Sequence, residues 1–164
     1  MIREAVVEDL PRLTEIYNHY VRHSLATFDT EPFTDRSEWF SHYGHAPYFL
    51  LVAEVDGRVA GYASSSPHRP KAGYRTSVET SVYLDPSATG RGLGRALYGE
   101  LLPLVDMAGV HRCLAGIALP NDPSIALHEG AGFRRIGVFT EVGTKFDRFV
   151  DVAWFERAPE GSRS

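Results

Sequence analysis

Residues Thr89-Gly90-Arg91-Gly92-Leu93-Gly94-Arg95-Ala96 are the stretch whose residue types could do chemistry. They stand between a β-branched, strand-like run, Ser77–Leu84, and an apolar-periodic run that begins at Leu93. A turn that opens a helix in this way aims free backbone N–H groups at one point, at the positive end of the helix dipole. Glycine lets the backbone approach a phosphate with no Cβ in the way. The implied ligand is a phosphorylated cofactor. A Walker A loop is excluded, because it needs Gly-Lys-Ser/Thr and the two lysines, Lys71 and Lys145, follow no glycine. A dinucleotide fingerprint fails at Leu97, where its last glycine should stand, and the loop lies past mid-chain instead of after the first strand. What remains is close to Arg/Gln-x-x-Gly-x-Gly/Ala.

The elements that must position this loop follow from periodicity. Ile2–Val7 reads as a short strand. Asp9 is placed to cap a helix with Pro11 in its first turn and a buried stripe of Leu10, Leu13, Ile16, Tyr17 and Tyr20. Asp35 and Glu38 form a capping box for a second short helix carrying Trp39, Phe40 and Tyr43. Phe49–Glu54 and Val59–Ser65 flank an Asp56-Gly57 hairpin signal. After a basic loop, 67–75, the strand Ser77–Leu84 leads into the glycine turn and a helix ending near Gly109, with Pro103 predicting a kink or an early end. Arg112–Ala118 is a strand, and Asp122-Pro123 starts a helix of about two turns that ends at Gly130 or Gly132. Arg134–Val142 and Arg148–Phe155 close the chain as an antiparallel pair around Gly143–Asp147. Residues 1–158 read as a single domain and 159–164 as a flexible tail.

The totals narrow the function class. A chain of 164 residues, 43% hydrophobic and 23% charged, can bury a real core. A net charge of −4 with fifteen scattered arginines argues against nucleic acid as a partner. Acidic residues interrupt the N-terminal apolar positions and no run approaches the ~20 apolar residues of a membrane span, so no membrane is implied and the reading is cytoplasmic. Cys113, the one cysteine, sits in a strand-like context and reads as a buried structural thiol. His19 and His23 are four apart but lack the glutamate of a metalloprotease helix, and His42 and His45 have no cysteine or carboxylate cluster, so no metal is expected. Ser64-Ser65-Ser66 lacks a Gly-x-Ser-x-Gly elbow.

A resemblance enters with four blocks taken in order: Val78-Glu79-Thr80-Ser81-Val82-Tyr83-Leu84, the glycine loop, Leu119-Pro120-Asn121-Asp122-Pro123-Ser124, and Leu127-His128-Glu129-Gly130-Ala131-Gly132-Phe133. With Asn18-His19-Tyr20, Thr30-Glu31-Pro32 and Asp151-Val152-Ala153-Trp154, they resemble the phosphinothricin and methionine sulfoximine branch of the GNAT N-acetyltransferase superfamily. The resemblance implies an α/β (α+β) fold: a central mixed, largely antiparallel sheet of six or seven strands, splayed in the middle and flanked by about four helices. It implies acetyl-CoA as cosubstrate and, by family habit, a homodimer.

Carried onto this chain, the resemblance assigns the pantetheine to backbone groups of Val82, Tyr83 and Leu84. The pyrophosphate falls to the N–H groups from Gly90 through Arg91, Gly92, Leu93 and Gly94 to Arg95. Thr89 stands where the family usually has Gln or Arg, leaving Arg91 and Arg95 to supply charge. Asn121 and Ser124 would also touch the cofactor. Glu79 shares a strand face with Ser81 and Tyr83, opposite Val78, Thr80, Val82 and Leu84. On the residues alone it fits a solvent-facing position equally well. On the cleft side it is the general base that an ammonium substrate needs. His128 would protonate or hydrogen-bond the departing sulfur, and as a plain helix-end histidine it would instead serve the dipole. Arg69, Lys71, Tyr74 and Arg75, with Phe28, are candidates for gripping an acidic, amino-acid-like amine, and a solvated loop accounts for the same residues. Two other readings stand beside this one: acetylation of a protein or peptide amine, and a non-catalytic acyl-CoA sensor, against which the presence of Glu79 argues.

Overall fold

The computed structural model describes residues 1–161. Seven strands form one sheet in the order β1-β2-β3-β4-β5-β7-β6. The strands are β1 Ile2–Glu4, β2 Leu50–Val55, β3 Arg58–Pro67, β4 Ser77–Leu84, β5 Arg112–Ala118, β6 Arg134–Lys145 and β7 Arg148–Arg157. The helices are α1 Leu10–His23, α2 Ser37–Ser41, α3 Leu93–Met107 and α4 Asp122–Gly130. Every neighbouring pair is antiparallel except β4 with β5. That parallel contact covers only Ser77–Glu79 against Arg112–Leu114, whereas β3 stays paired with β4 as far as Leu84. The sheet therefore opens beyond Glu79. This is the splay the resemblance implied.

Strand alternation divides the core in two. Leu97, Tyr98, Leu101 and Val105 of α3 pack on Leu51, Ala53, Ala63, Val78, Cys113 and Phe155. On the opposite face Leu13 and Ile16 of α1 pack on Leu50, Val52 and Tyr62. Glu79, Ser81 and Tyr83 share the α1 face, as the alternation predicts.

Several local expectations are corrected. Asp9 occupies the N-cap position of α1 but makes no cap bond with its side chain. Its carboxylate turns back to Arg3 (2.8 and 2.9 Å) and to the Val6 N–H (2.9 Å), because a bidentate guanidinium is a stronger partner than a helix amide. Asp35 likewise bonds the Ser37 N–H at 2.8 Å, and Arg36 is the N-cap of α2. Pro103 neither ends α3 nor shortens it. The carbonyl it deprives of a partner, four residues back, belongs to Gly99 on the exposed face, where water solvates it and no Cβ crowds the ring. β6 runs on to Lys145 and turns through Phe146 and Asp147, both at positive φ (54° and 57°), so Gly143–Asp147 is mostly strand. The Glu160 N–H reaches Asp106 Oδ2 at 3.4 Å, and Glu160 and Gly161 lie in a turn. Residues 162–164 lie outside the described residues.

Candidate active site

The opening between β4 and β5 leaves backbone groups without partners. The Asp85 N–H bonds the Ala60 carbonyl at 2.8 Å, and this sets the alternation along β4. Glu79, Ser81 and Tyr83 spend their backbone groups on β3, while Thr80, Val82 and Leu84 turn theirs toward the gap. The Leu84 carbonyl takes the Tyr20 hydroxyl. The Val82 N–H and carbonyl and the Leu84 N–H thus face the opening with no strand beside them. Tyr83 must be corrected as a backbone contact: its peptide is committed to Tyr62, and its ring packs edge-on to Tyr17 at 5.2 Å on the α1 face.

The glycine loop continues this row of donors. Gly90 and Gly92 have φ of 74° and 78°, a region that side chains strain to adopt, and a Cβ on either would meet nothing within 4 Å. Gly92 is the N-cap of α3, and the Ala96 N–H is the first to close back onto it, at 3.0 Å. The N–H groups of Leu93, Gly94 and Arg95 have no partner among the described residues. Gly94 is buried, and a Cβ there would stand 3.1 Å from Leu127 of α4. Arg91 and Arg95 are exposed. The Thr89 hydroxyl bonds back to the Pro86 carbonyl at 3.1 Å, so it ties the turn instead of presenting charge. Just upstream, two bonds from Ser87 (2.6 and 2.8 Å), with Arg12 alongside, pull the Asp85 carboxyl down to about 2. Unpaired amides along a strand, then a cluster of them at a helix start, suit a ligand with amide groups followed by phosphates.

On the α1 face, where β4 and β5 part, lies a cavity of about 450 Å³. Glu79, Arg69 and Phe28 meet there, and among the described residues Glu79 and Arg69 are the only charged side chains lining it. Aromatic walls lie flat on glycine: a Cβ on Gly116 would stand 3.0 Å from Trp154, and one on Gly143 would stand 2.3 Å from the Phe28 ring. Buried Lys145 fixes the segment that carries Phe28, donating to the carbonyls of Tyr20 (3.1 Å), Ser24 (2.5 Å) and Thr27 (2.8 Å). Lys71, Tyr74 and Arg75 do not line this cavity. Their loop closes on itself, Tyr74 N–H to the Lys71 carbonyl and Arg75 N–H to the Ala72 carbonyl, and these residues stay exposed. Tyr74 instead packs edge-on to His68 at 5.5 Å. His68, which sequence reasoning missed, places Nδ1 2.9 Å from Glu79 Oε2. No motif marks it; only the pairing of Ser66 with Glu79 brings it there.

His128 is turned into the core. It is 5% exposed, and both ring nitrogens are engaged. Nδ1 lies 2.7 Å from the Ser124 carbonyl, which only accepts, so Nδ1 carries the proton. Nε2 therefore accepts from the Tyr98 hydroxyl at 2.8 Å, and Tyr98 accepts from Thr80 at 2.9 Å. Burial holds the imidazole below its usual range and therefore neutral. Asn121 caps α4, which starts at Asp122, its Oδ1 taking the Ser124 N–H at 3.2 Å.

A second cavity, of about 420 Å³, meets the first at Ser81. Its wall includes the buried Arg36 guanidinium, stacked between Tyr17 (4.1 Å) and Trp39 (3.7 Å). Among the described residues no group of three His, Cys, Asp or Glu side chains converges as a metal site, and no helix is long and apolar enough to cross a membrane.

The model of the "Acetyltransferase (GNAT) family" matches residues 13–133. A phosphinothricin N-acetyltransferase of Streptomyces coelicolor is 51% identical over 161 residues, covering 95% of this chain and 94% of that protein. An L-methionine sulfoximine/L-methionine sulfone acetyltransferase of Salmonella typhimurium is 39% identical over 160 residues, covering 94% and 92%. Among solved structures, a GNAT superfamily phosphinothricin acetyltransferase from Sinorhizobium meliloti, in complex with AcCoA, superposes with a TM-score of 0.93 at 34% identity, covering 99% of this chain and 91% of that one.

Proposed function

The chain belongs to the GNAT family of N-acetyltransferases, and from that premise we propose that it transfers an acetyl group from acetyl-CoA to the amine of a small amino-acid-like acceptor. The acceptor is of the phosphinothricin, methionine sulfoximine or methionine sulfone type, as the names of its relatives suggest. One observation carries the reading: among the described residues a single carboxylate and a single cationic side chain line an aromatic-walled cavity of about 450 Å³ where the sheet parts. That volume suits a small molecule.

Acetyl-CoA supplies the acetyl group as a thioester. Val82 and Leu84 backbone groups hold its pantetheine, and the N–H groups from Gly90 to Arg95 hold its pyrophosphate, with Arg91 and Arg95 adding charge and Asn121 and Ser124 flanking. An amine near neutral pH is ammonium and cannot attack, so Glu79, 32% exposed at its side chain, takes the proton directly or through a water. Arg69 meets the acceptor's acidic end. The unpaired Val82 N–H donates to the acyl oxygen as negative charge gathers there. Transfer is direct: Cys113 is 2% exposed and burial pushes its thiol up to about 11, so it forms no acyl-enzyme. The protein acts as a homodimer, which the exposed Phe139, Val142 and Phe149 of the β6–β7 hairpin support.

The test is CoA release from acetyl-CoA with methionine sulfoximine, methionine sulfone, phosphinothricin, common amino acids and a peptide amine. Turnover of the first three alone is expected, and Glu79→Gln should lower kcat by roughly 100-fold or more while leaving acetyl-CoA binding unchanged. Turnover of the peptide alone, or tight acetyl-CoA binding with no turnover, would overturn the assignment.

A further inference from the structure

We propose that His68 is the positioning residue of the catalytic base, a role that rests on the reading of Glu79 given above. His68 follows the last residue of β3, and because Ser66 pairs with Glu79 and Pro67 with Val78, the chain leaves the sheet beside the base. The imidazole is held in place from two sides, edge-on to Tyr74 at 5.5 Å and to Trp154 at 6.3 Å, and its side chain is 16% exposed. Its Nδ1 lies 2.9 Å from Glu79 Oε2.

A carboxylate only accepts, so Nδ1 carries the proton and donates it into this bond. Glu79 Oε2 is thereby engaged, and Oε1 is left as the oxygen that receives the proton of the amine. Among the described residues the Glu79 carboxylate has no other hydrogen-bond partner. At 32% exposure its rotamer is not fixed by packing alone, so one hydrogen bond selects the proton-accepting geometry. Tyr74 thus serves the site by bracing His68 from behind, without lining the cavity.

The full-length chain is assayed as wild type, His68→Asn, His68→Phe, Glu79→Gln and the Glu79→Gln/His68→Phe double variant, with the fastest acceptor of the panel. Asparagine keeps an N–H donor near the Nδ1 position; phenylalanine keeps the ring and loses the donor. His68→Phe should lower kcat roughly 10- to 100-fold, the scale of a misplaced catalytic group. Its KM for acetyl-CoA should stay within about twofold, and His68→Asn should recover most of the loss. The double variant should be no slower than Glu79→Gln, because the histidine acts only through the carboxylate. Imidazole ¹⁵N shifts should report a protonated Nδ1 on His68 that changes in Glu79→Gln, a readout that does not depend on the phenylalanine variant folding. A His68→Phe enzyme as fast as wild type, an asparagine variant as slow as the phenylalanine one, or multiplicative losses in the double variant would each overturn the role. The two readings fail differently: a fully active Glu79→Gln removes the base itself, whereas a slow Glu79→Gln beside a fast His68→Phe removes only the histidine.

Discussion

Replacing Tyr98 by phenylalanine isolates one hydroxyl whose removal has a calculable cost. That hydroxyl joins Thr80 at 2.9 Å to His128 Nε2 at 2.8 Å, with exposures of 1% at Tyr98 and 5% at each partner. The direction of donation is fixed from the far end, because the Ser124 carbonyl forces the proton onto Nδ1. Tyr98→Phe therefore orphans two buried groups at once, the Thr80 O–H and the His128 Nε2. Each orphan costs about 1–3 kcal/mol, so the variant should lose about 2–6 kcal/mol. Adding Thr80→Val to Tyr98→Phe should return about 1 kcal/mol, since a methyl replaces the stranded hydroxyl, while Thr80→Val alone destabilises the wild type. Urea unfolding at pH 7.5 measures all four proteins, with a constant m-value as the control. A Tyr98→Phe loss below about 0.5 kcal/mol, or a Thr80→Val step that costs as much in the variant as in wild type, would refute the closed chain. The same chain sets a pH sign. Burial lowers the His128 pKa below its usual 6.5, so the unfolded state binds the proton first. Stability contributed by the neutral ring is complete above 6.5 and falls as pH drops toward the folded value.

Three further outcomes follow from neighbouring features. Gly143→Ala drives a methyl to within 2.3 Å of the Phe28 ring, which must swing out of the acceptor cavity; acceptor kcat/KM should fall roughly tenfold, with acetyl-CoA KM and the thermal midpoint nearly unchanged. Lys145→Met takes the donor from three carbonyls of the α1 end and its following loop; it should cost about 3 kcal/mol in urea unfolding and speed amide exchange over residues 24–28. Asp85, at about 2 in the folded chain against 3.8 when free, contributes stability that is present above 3.8 and lost as pH falls through 2. Asp85→Asn should cost at most about 2 kcal/mol at neutral pH and flatten acid unfolding across that window, followed by circular dichroism.

The strands that frame the opening were legible in the residues. β4 and β5 begin and end where the β-branched runs do, at Ser77–Leu84 and Arg112–Ala118, and the Asp56-Gly57 turn joins β2 to β3 as its chemistry requires. Other features depended on register, which a one-residue slip would reverse. The pairing that sets Ser66 beside Glu79 decides that His68 reaches the base and that Tyr83 spends its peptide on β3. The closing turn, placed within Gly143–Asp147 from the sequence, narrows to Phe146-Asp147 because the β6–β7 pairing runs on to Lys145, and of the two residues only aspartate takes positive φ readily. The basic loop misled in another way. Three cationic residues and a tyrosine sit next to the strand, yet the loop backbone closes on itself and of the four only Arg69 lines the cavity. The surroundings of His128 in space, Tyr98, Phe133 and Phe155, come from three separate elements and could not be read from its neighbours in the chain.

The two tryptophans of this chain are divided between the two cavities. Trp39 lies 3.7 Å from the Arg36 guanidinium in one, and Trp154 forms a wall of the other, on the backbone of Gly116. Each cavity thus holds its own optical probe, in two environments of different polarity. In Trp39→Phe the remaining emission belongs to the acceptor cavity, and in Trp154→Phe it belongs to α2 at the second cavity. A titration with acceptor, followed in each single-tryptophan protein, reads local filling at one wall and any response across Ser81 at the other, without a label and without turnover.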